Sequence, residues 1–304
     1  MLQAGLDIGG TKIAAVVLDS TGRECGRWRQ PTQKNSYEQF LESVSQLVNT
    51  LRQQLAEPFS LGIALPGSVS PVSGRIRNAN ILVLNGQPLA QDLAARLGQP
   101  VTLANDANCF ALSEARDGAG AGYSSVFGMT LGTGCGGGLV INNQLIIGGY
   151  GSAAECGHIP LPGYLPENDG PAVRCYCGQE NCAESFVSGT GLARGYHLLA
   201  GEEVCGEQVI SRAQAGDAAA LQQVARFRSQ LARLLATVIN VVDPAVIVLG
   251  GGLSQSPLLL EGVAQQVAPR VFTDHFQTPI VTAQHGASSG MRGAAWLGAE
   301  QRSR

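Results

Sequence analysis

Twice along this chain a short apolar run ends in a knot of glycines and then resumes as a second apolar run. The first instance is residues 4–8, then Gly9-Gly10-Thr11, then residues 13–18. The second is residues 126–131, then the glycine cluster 132–138, then residues 139–147 around a polar Asn142-Asn143 turn. Apolar runs this short, bounded by glycine, read as strands rather than helices. After the first pair, a Ser20–Arg23 turn leads into a third strand over 25–29. Both instances therefore follow one plan: strand, glycine turn, strand, polar turn, strand. The echo predicts two related domains, and 304 residues suffice for two. The chain has 40 glycines, clustered and without a repeat period. Clustered glycine marks backbone that bends tightly or meets a ligand at close range.

Helices alternate with these strands. Tyr37, Phe40, Leu41, Val44, Leu47, Val48, Leu51 and Leu55 recur at steps of three or four, which predicts an amphipathic helix over 37–55 with Ser36 as its N-cap. A second stripe over 221–238 comprises Leu221, Val224, Phe227, Leu231, Leu234, Leu235 and Val238. Buried strands are expected at 61–65, 101–103 and 246–249, and a helix at 106–116. The class is α/β. The net charge of −3 gives no footprint for nucleic acid or an anionic membrane. The sequence shows no secretory leader and no apolar stretch near the roughly 20 residues of a membrane span, so a cytoplasmic location is expected. Eight cysteines in a reducing compartment point to metal ligation or burial rather than disulfides.

Several motifs carry chemistry. In Asp7-Ile8-Gly9-Gly10-Thr11-Lys12 a strand delivers an acid to a turn whose glycine amides are open to a phosphate. Asp7 suits a magnesium ion, directly or through water, and Thr11 and Lys12 add donors. A plain hairpin turn is the bland alternative. The segment Gly132-Thr133-Gly134-Cys135-Gly136-Gly137-Gly138 formally contains G-x-G-x-x-G. That dinucleotide fingerprint must open a helix, and here a strand follows, so a second phosphate turn is expected instead. Gly250-Gly251-Gly252, after Val-Ile-Val-Leu, gives a flat backbone surface suited to adenosine, or else a loose strand cap.

His158, Cys175, Cys177 and Cys182 form H-x16-C-x-C-x4-C. One imidazole and three thiolates complete a closed tetrahedral shell, which predicts a structural zinc ion. Glu155 and Glu184 flank that segment and suit sugar hydroxyls. His158 is expected to place one ring nitrogen on zinc and the other toward a hydroxyl. In Asn105-Asp106-Ala107-Asn108 a strand ends and a helix begins, so Asp106 is either an N-cap or a general base beside a ligand hydroxyl.

Taken together these motifs resemble the ROK family of kinases and repressors, within the sugar kinase/actin-like ATPase superfamily. The carriers are Asp-Ile-Gly-Gly-Thr-Lys at 7–12, Leu-Pro-Gly at 65–67, Asn-Asp-Ala-Asn at 105–108, the glycine cluster at 132–138, Glu-Cys-Gly-His at 155–158, the cysteine segment at 175–184, and Gly-Gly-Gly at 250–252. The resemblance spans nearly the whole chain. It implies two actin-like (ribonuclease H-like) domains with a ligand cleft between them. The smaller is expected over 1–117, joined by a C-terminal helix at about 288–304, and the larger over 118–287 with the zinc loop. It implies ATP-dependent phosphorylation of a hexose at its 6-hydroxyl, with Asp106 as general base and magnesium accompanying ATP. Gly67, Asn80, Asn105, Asp106, Glu155, His158 and Glu184 are then expected on the sugar. Asp7, Gly9, Gly10, Thr11, Lys12, Gly132, Thr133, Gly134, Cys135, Gly250, Gly251 and Gly252 are expected on the nucleotide. A homodimer is also implied.

The chain departs from the family pattern at Asn181, where the family usually has Gly before the last cysteine ligand. Asn tolerates left-handed backbone best after Gly, so the turn is expected to survive. Residues 7–14, 36–41 and 108–115 are similar to bacterial N-acetylglucosamine kinases, whereas residues 78–80, 84–88 and 175–178 are similar to bacterial fructokinases and mannokinases. The latter usually carry Trp where this chain has Val83. A smaller Val leaves room for an N-acetyl group, so N-acetylglucosamine is the expected substrate. A repressor of the same family would need a winged helix before Asp7, and a non-catalytic sugar binder would not need two phosphate turns and a base.

Overall fold

The computed structural model describes residues 1–300, so residues 301–304 of the expected C-terminal segment lie outside the described residues. The described residues form two units, one of residues 1–122, 138–153 and 287–300, the other of residues 123–137 and 154–286.

The first unit is built on a five-stranded sheet in the order β3-β2-β1-β4-β7. Its strands are β1 (Leu2–Ile8), β2 (Lys12–Leu18), β3 (Glu24–Pro31), β4 (Phe59–Leu65) and β7 (Val101–Asn105), and a small hairpin adds β5 (Ser68–Val69) and β6 (Ile76–Arg77). Strands β1, β2 and β3 pair antiparallel, whereas β4 and β7 run parallel to β1. Helix α1 (Tyr37–Gln54) begins at Ser36, whose side chain accepts from the Gln39 amide. It buries Phe40, Leu41, Val44, Leu47, Val48 and Leu51 against Leu6, Ile8, Leu61 and Ile63 of the sheet. Helix α2 (Leu89–Leu97) adds Leu89, Leu93 and Leu97 to the same core. Helix α3 (Asp106–Asp117) follows β7 directly.

The second sheet has the order β10-β9-β8-β11-β12. Its strands are β8 (Ser125–Leu131), β9 (Cys135–Ile141), β10 (Gln144–Ile146), β11 (Val246–Gly250) and β12 (Ile280–Thr282). Strand β11 runs parallel to both β8 and β12, and β10 pairs antiparallel with β9. Read in chain order, this is the plan of the first sheet again, so the internal echo in the sequence is a repeat of topology. Asn142 and Asn143 both take positive φ, which makes the polar turn between β9 and β10.

Short α4 (Pro166–Asp169) precedes α5 (Gly189–Ala200), α6 (Gly206–Gln214) and the long α7 (Ala218–Val242). Asp217 caps α7, accepting from Ala220 N at 2.8 Å. Asp243 ends it with φ of 48°, just before Pro244. Helix α7 thus runs beyond the predicted apolar stripe at both ends: Ala218–Ala220, strong helix formers, precede it, and Ile239, Asn240, Val241 and Val242 extend it by about a turn. The short helices α8 (Pro257–Leu260) and α9 (Val263–Val267) follow. Among the described residues no helix is long and apolar enough to cross a membrane.

Helix α10 (Ser289–Glu300) returns to the first unit and lies almost on the backbone of its sheet. A Cβ on Gly5 would overlap the Met291 carbonyl, and one on Gly62 would overlap the Ala294 carbonyl and stand 2.9 Å from Gly298 N. From the other side, a Cβ on Gly293 would overlap the Cys109 carbonyl of α3. The glycines are thus set by packing and leave no space for a methyl group.

Gly62→Ala should therefore destabilise the full chain by about 2–3 kcal/mol in a denaturant titration. Gly149→Ala, where an added Cβ meets nothing within 4 Å, should stay within about 0.5 kcal/mol of the parent. Equal effects would contradict this packing.

Candidate functional site

In the first unit Asp7 lies near the end of β1, opposite Ala14 of β2 and Ala64 of β4. Its carboxylate lies against the amino end of α10, where a Cβ on Gly290 would stand 2.8 Å from Asp7 Oδ2. Beyond it, Gly9 N donates to Lys12 O at 2.9 Å and closes the turn. The carbonyls of this turn are taken from one flank. Gly9 O accepts from Thr32 Oγ1 at 2.7 Å, Gly10 O from Lys34 Nζ at 3.1 Å, and Thr11 O from Thr32 N at 3.0 Å. In a trans peptide the N–H points opposite to the C=O. The amides of Gly10, Thr11 and Lys12 are thereby directed away from that flank, which is the arrangement an anion-binding turn needs.

Burial, and next the nearby Asp106 charge, push the Asp7 carboxyl up to about 6, with Lys12 opposing. Asp106 is the first residue of α3. The N-cap is Asn105, whose Oδ1 accepts from Ala107 N at 2.8 Å, so Asp106 does not fill that role. Asp106 Oδ1 also accepts from Ala107 N at 2.8 Å. Its side chain is open to solvent yet ringed by protein, and the loss of water raises its carboxyl above the usual value against the pull of the Ala107 amide.

Asn105 also donates through Nδ2 to Gly67 O at 3.0 Å. Gly67 has φ of 104°, and a Cβ there would stand 2.7 Å from Arg77 O and 2.8 Å from Ala79 N, so only glycine fits. Asn85 holds the same loop: it accepts from Ala79 N and donates to Ala79 O, each at 2.9 Å. The exposed Asn80 is presented from that clamp. Asn85 was not among the expected site residues, although it lies within the Leu84–Pro88 stretch that carried part of the family resemblance. Val83 is half-buried and packs on the core of the first unit.

In the second unit the glycine turn is shorter than the cluster. Strand β9 already begins at Cys135, so the turn is residues 132–134, closed by Gly132 N donating to Gly134 O at 3.0 Å. Gly137 and Gly138 lie within the strand. A Cβ on Gly137 would overlap the Ala154 carbonyl, and one on Gly138 would stand 2.6 Å from Ala107 O. As in the first turn, the carbonyls are held from one flank. Gly132 O accepts from Gly189 N at 2.7 Å and Thr133 O from Thr190 Oγ1 at 2.9 Å. The amides of Thr133 and Gly134 are directed the other way.

Cys135, expected on the nucleotide, differs from its neighbours. Its amide donates to Glu184 Oε2 at 2.9 Å. Its buried thiol is held protonated, first by a hydrogen bond with Cys156 and then by burial. Glu184, expected on the sugar, thus has one oxygen committed to the turn. Gly251 has φ of 82° and would overlap the end of β8 at Leu131 if it carried a Cβ. Gly250 ends β11 and Gly252 opens a short 3-10 helix.

The ligand atoms of His158, Cys175, Cys177 and Cys182 all lie within 4.8 Å of one another. Cys175 Sγ is 3.7 Å from His158 Nδ1, and Cys177 Sγ is 3.5 Å from Cys182 Sγ. A tetrahedron with metal–sulfur bonds of about 2.3 Å has edges of about 3.8 Å, so the donor set fits a zinc-sized ion. Without a cation, burial pushes the Cys182 thiol up to about 12, and clustered thiolates ionise together only around a metal. Asn181 takes φ of 57°, as the left-handed turn requires. The second nitrogen of His158 already has a protein partner, because Tyr176 OH lies 3.0 Å from Nε2. Just before the cluster, Ala154 takes φ of 65° and Glu155 centres a tight turn closed by Cys156 N on Ala154 O at 2.6 Å. Left-handed backbone at a residue with a Cβ is strained, and the Gly137 contact helps hold it in place.

The ROK family model matches residues 3–301. The chain is 42% identical over 297 residues to an N-acetyl-D-glucosamine kinase of Salmonella gallinarum, covering 96% of this chain and 98% of that protein. It superposes with a TM-score of 0.87 on a ROK hexokinase from Thermus thermophilus, 30% identical, covering 100% of this chain and 99% of that one. A ROK family glucokinase from Streptomyces griseus, solved in complex with glucose and AMPPNP, gives a TM-score of 0.80 at 30% identity, with 99% and 100% covered.

The raised value at Asp7 has a consequence for stability. Its folded value of about 6 stands above the ordinary 3.8, so the stability it contributes is full below about pH 4 and is lost as pH rises through about 6. Asp7→Asn should then gain about 3 kcal/mol over the parent near pH 7.5 and almost nothing near pH 3.5, measured by denaturation without metal or nucleotide. A loss of stability near pH 7.5 would contradict the assignment.

Proposed function

The chain belongs to the ROK family, and on that premise we propose that it transfers the γ-phosphoryl group of ATP to the 6-hydroxyl of an aldohexose, N-acetyl-D-glucosamine foremost. The observation that carries the reading is the pair of glycine turns, each with its carbonyls tied back on one flank and its outward amides free to meet phosphate oxygens. The name of the 42% identical relative supports the choice of sugar.

Asp106 is the general base. It accepts the proton of the 6-hydroxyl as that oxygen bonds to the γ-phosphorus and the bond to the β,γ-bridging oxygen breaks, releasing ADP. Its raised carboxyl brings it nearer the working pH than an ordinary aspartate. Gly67, Asn80, Asn105, Glu155 and Glu184 are assigned to the sugar, and His158 joins them by exchanging the Tyr176 hydroxyl at Nε2 for one of the sugar's. Gly9, Gly10, Thr11, Lys12, Gly132, Thr133 and Gly134 are assigned to the phosphates, and Gly250, Gly251 and Gly252 to the adenosine. Asp7 is the residue that would hold magnesium accompanying ATP, and that cation supplies charge neutralisation when bound. His158, Cys175, Cys177 and Cys182 would hold a structural zinc, which supplies a cross-link and no open coordination position. A homodimer and a cytoplasmic location complete the proposal.

Asp106→Asn should lower kcat by about 10²–10⁴-fold with little change in sugar affinity. A variant that retained most of its turnover would remove Asp106 from the role of base. Among N-acetylglucosamine, glucose, mannose and fructose, the first should give the highest kcat/KM; fructose in that place would overturn the substrate. Elemental analysis should find about one zinc per chain, and Cys177→Ser should lose it with a lowered Tm. A metal-free protein of unchanged Tm would contradict a structural ion.

A further inference from the structure

We infer that Glu184 is a positioning residue through which the metal-binding loop sets the shape of the 132–134 phosphate turn. The inference rests on the phosphate-binding reading of that turn. Glu184 stands two residues after Cys182, and its backbone is fixed by the loop itself. Ala183 N donates to Ile159 O at 2.8 Å, Ser185 N to Cys182 O at 2.9 Å, and Cys182 bridges to Pro160. Cys182 and Ala183 are completely buried. From this anchored position Glu184 Oε2 accepts the amide of Cys135 at 2.9 Å, at the point where the turn becomes strand β9.

The loop grips the same residue from its other end. A Cβ on Gly157, next to His158, would overlap the carbonyl oxygen of Cys135 and stand 3.5 Å from Glu184 Cβ. A Cβ on Gly134 would overlap Glu184 Oε2. Cys135 is therefore held at its N–H by the segment after Cys182 and pressed at its carbonyl by the segment before His158. Both segments end on ligands of the same tetrahedral cluster. Further along, Gly189 and Thr190 fix Gly132 O and Thr133 O. Loosening the cluster lets residues 157–158 and 182–184 part, and the Cys135 clamp opens with them. The turn amides then lose the fixed direction on which phosphate binding depends. On this account, loss of the metal weakens nucleotide binding directly, and not only the sugar side.

The test uses the full chain with its metal, without sugar. Hydrogen exchange is read on the peptide spanning 132–136, and affinity for AMPPNP is titrated, for the parent, Glu184→Ala and Glu184→Gln. Glu184→Ala should raise both the exchange rate of that peptide and the Kd for AMPPNP about tenfold, the scale of one lost hydrogen bond to a charged acceptor. Glu184→Gln keeps an acceptor oxygen and should hold both within about threefold. Stripping the metal with a chelator should loosen the 132–136 peptide in the parent and add little in Glu184→Ala, because the link is already cut. Unchanged exchange and AMPPNP affinity in Glu184→Ala, with only the KM for sugar raised, would overturn the inference and leave Glu184 a sugar ligand alone. A full additional loosening on stripping Glu184→Ala would also overturn it, since the coupling would then bypass this side chain. If the parent bound no AMPPNP, the kinase reading would fail, while the exchange measurements would still decide whether Glu184 positions the turn.

Discussion

At Gly137 the backbone of β9 meets the carbonyl oxygen of Ala154 with no space for a Cβ. Much of the second unit's chemistry depends on that contact. It lets the segment that leads into His158 and the cysteine cluster lie directly on the strand that leaves the 132–134 turn. Ala154 is held at a positive φ there, Glu155 is forced into a tight turn, and His158 is delivered to the cysteines three residues later. The same close approach recurs at Gly157 over Cys135 and at Gly134 beside Glu184. A methyl group at any of these positions would push the 154–158 and 182–184 segments off the turn.

The two glycine turns share one arrangement, the one an anion-binding turn would need. A turn that binds an anion must aim several N–H groups at one point, and each amide is fixed by where its own peptide's carbonyl is tied. In the first turn Thr32 and Lys34 tie the carbonyls; in the second, Gly189 and Thr190 do. The repeated sheet order places each turn at the end of the equivalent central strand, β1 or β8. Asp7 and Asp106 add acids whose environment works against their ionisation, in keeping with a site that handles protons and cations.

Much of this was legible in the residues. Strand and helix positions followed from apolar spacing, and the spacing of His158, Cys175, Cys177 and Cys182 pointed to their convergence. Asn181 took the left-handed turn that its small polar side chain permits. What was not legible lay in contacts between distant residues. A glycine cradling phosphate and a glycine packed against backbone look alike in sequence, so the turn was expected over 132–138 when β9 begins at Cys135. The chemistry of Glu184 suits a sugar hydroxyl, but its bond to the Cys135 amide, 49 residues earlier, shows in no local pattern. Asn85 and Tyr176 act through hydrogen bonds to Ala79 and His158 that no local pattern announces. The strain at Ala154 is invisible too, because alanine carries no signal for a positive φ.

The central claim is that these turns and this base move a phosphoryl group onto a sugar's 6-oxygen. It is tested most directly by incubating the protein with ATP, magnesium and N-acetyl-D-glucosamine and assigning the product by phosphorus–proton correlated NMR. The account predicts a phosphorus resonance coupled to the two protons on carbon 6, appearing together with ADP. Inorganic phosphate alone, or phosphorus coupled to the anomeric proton, would contradict it.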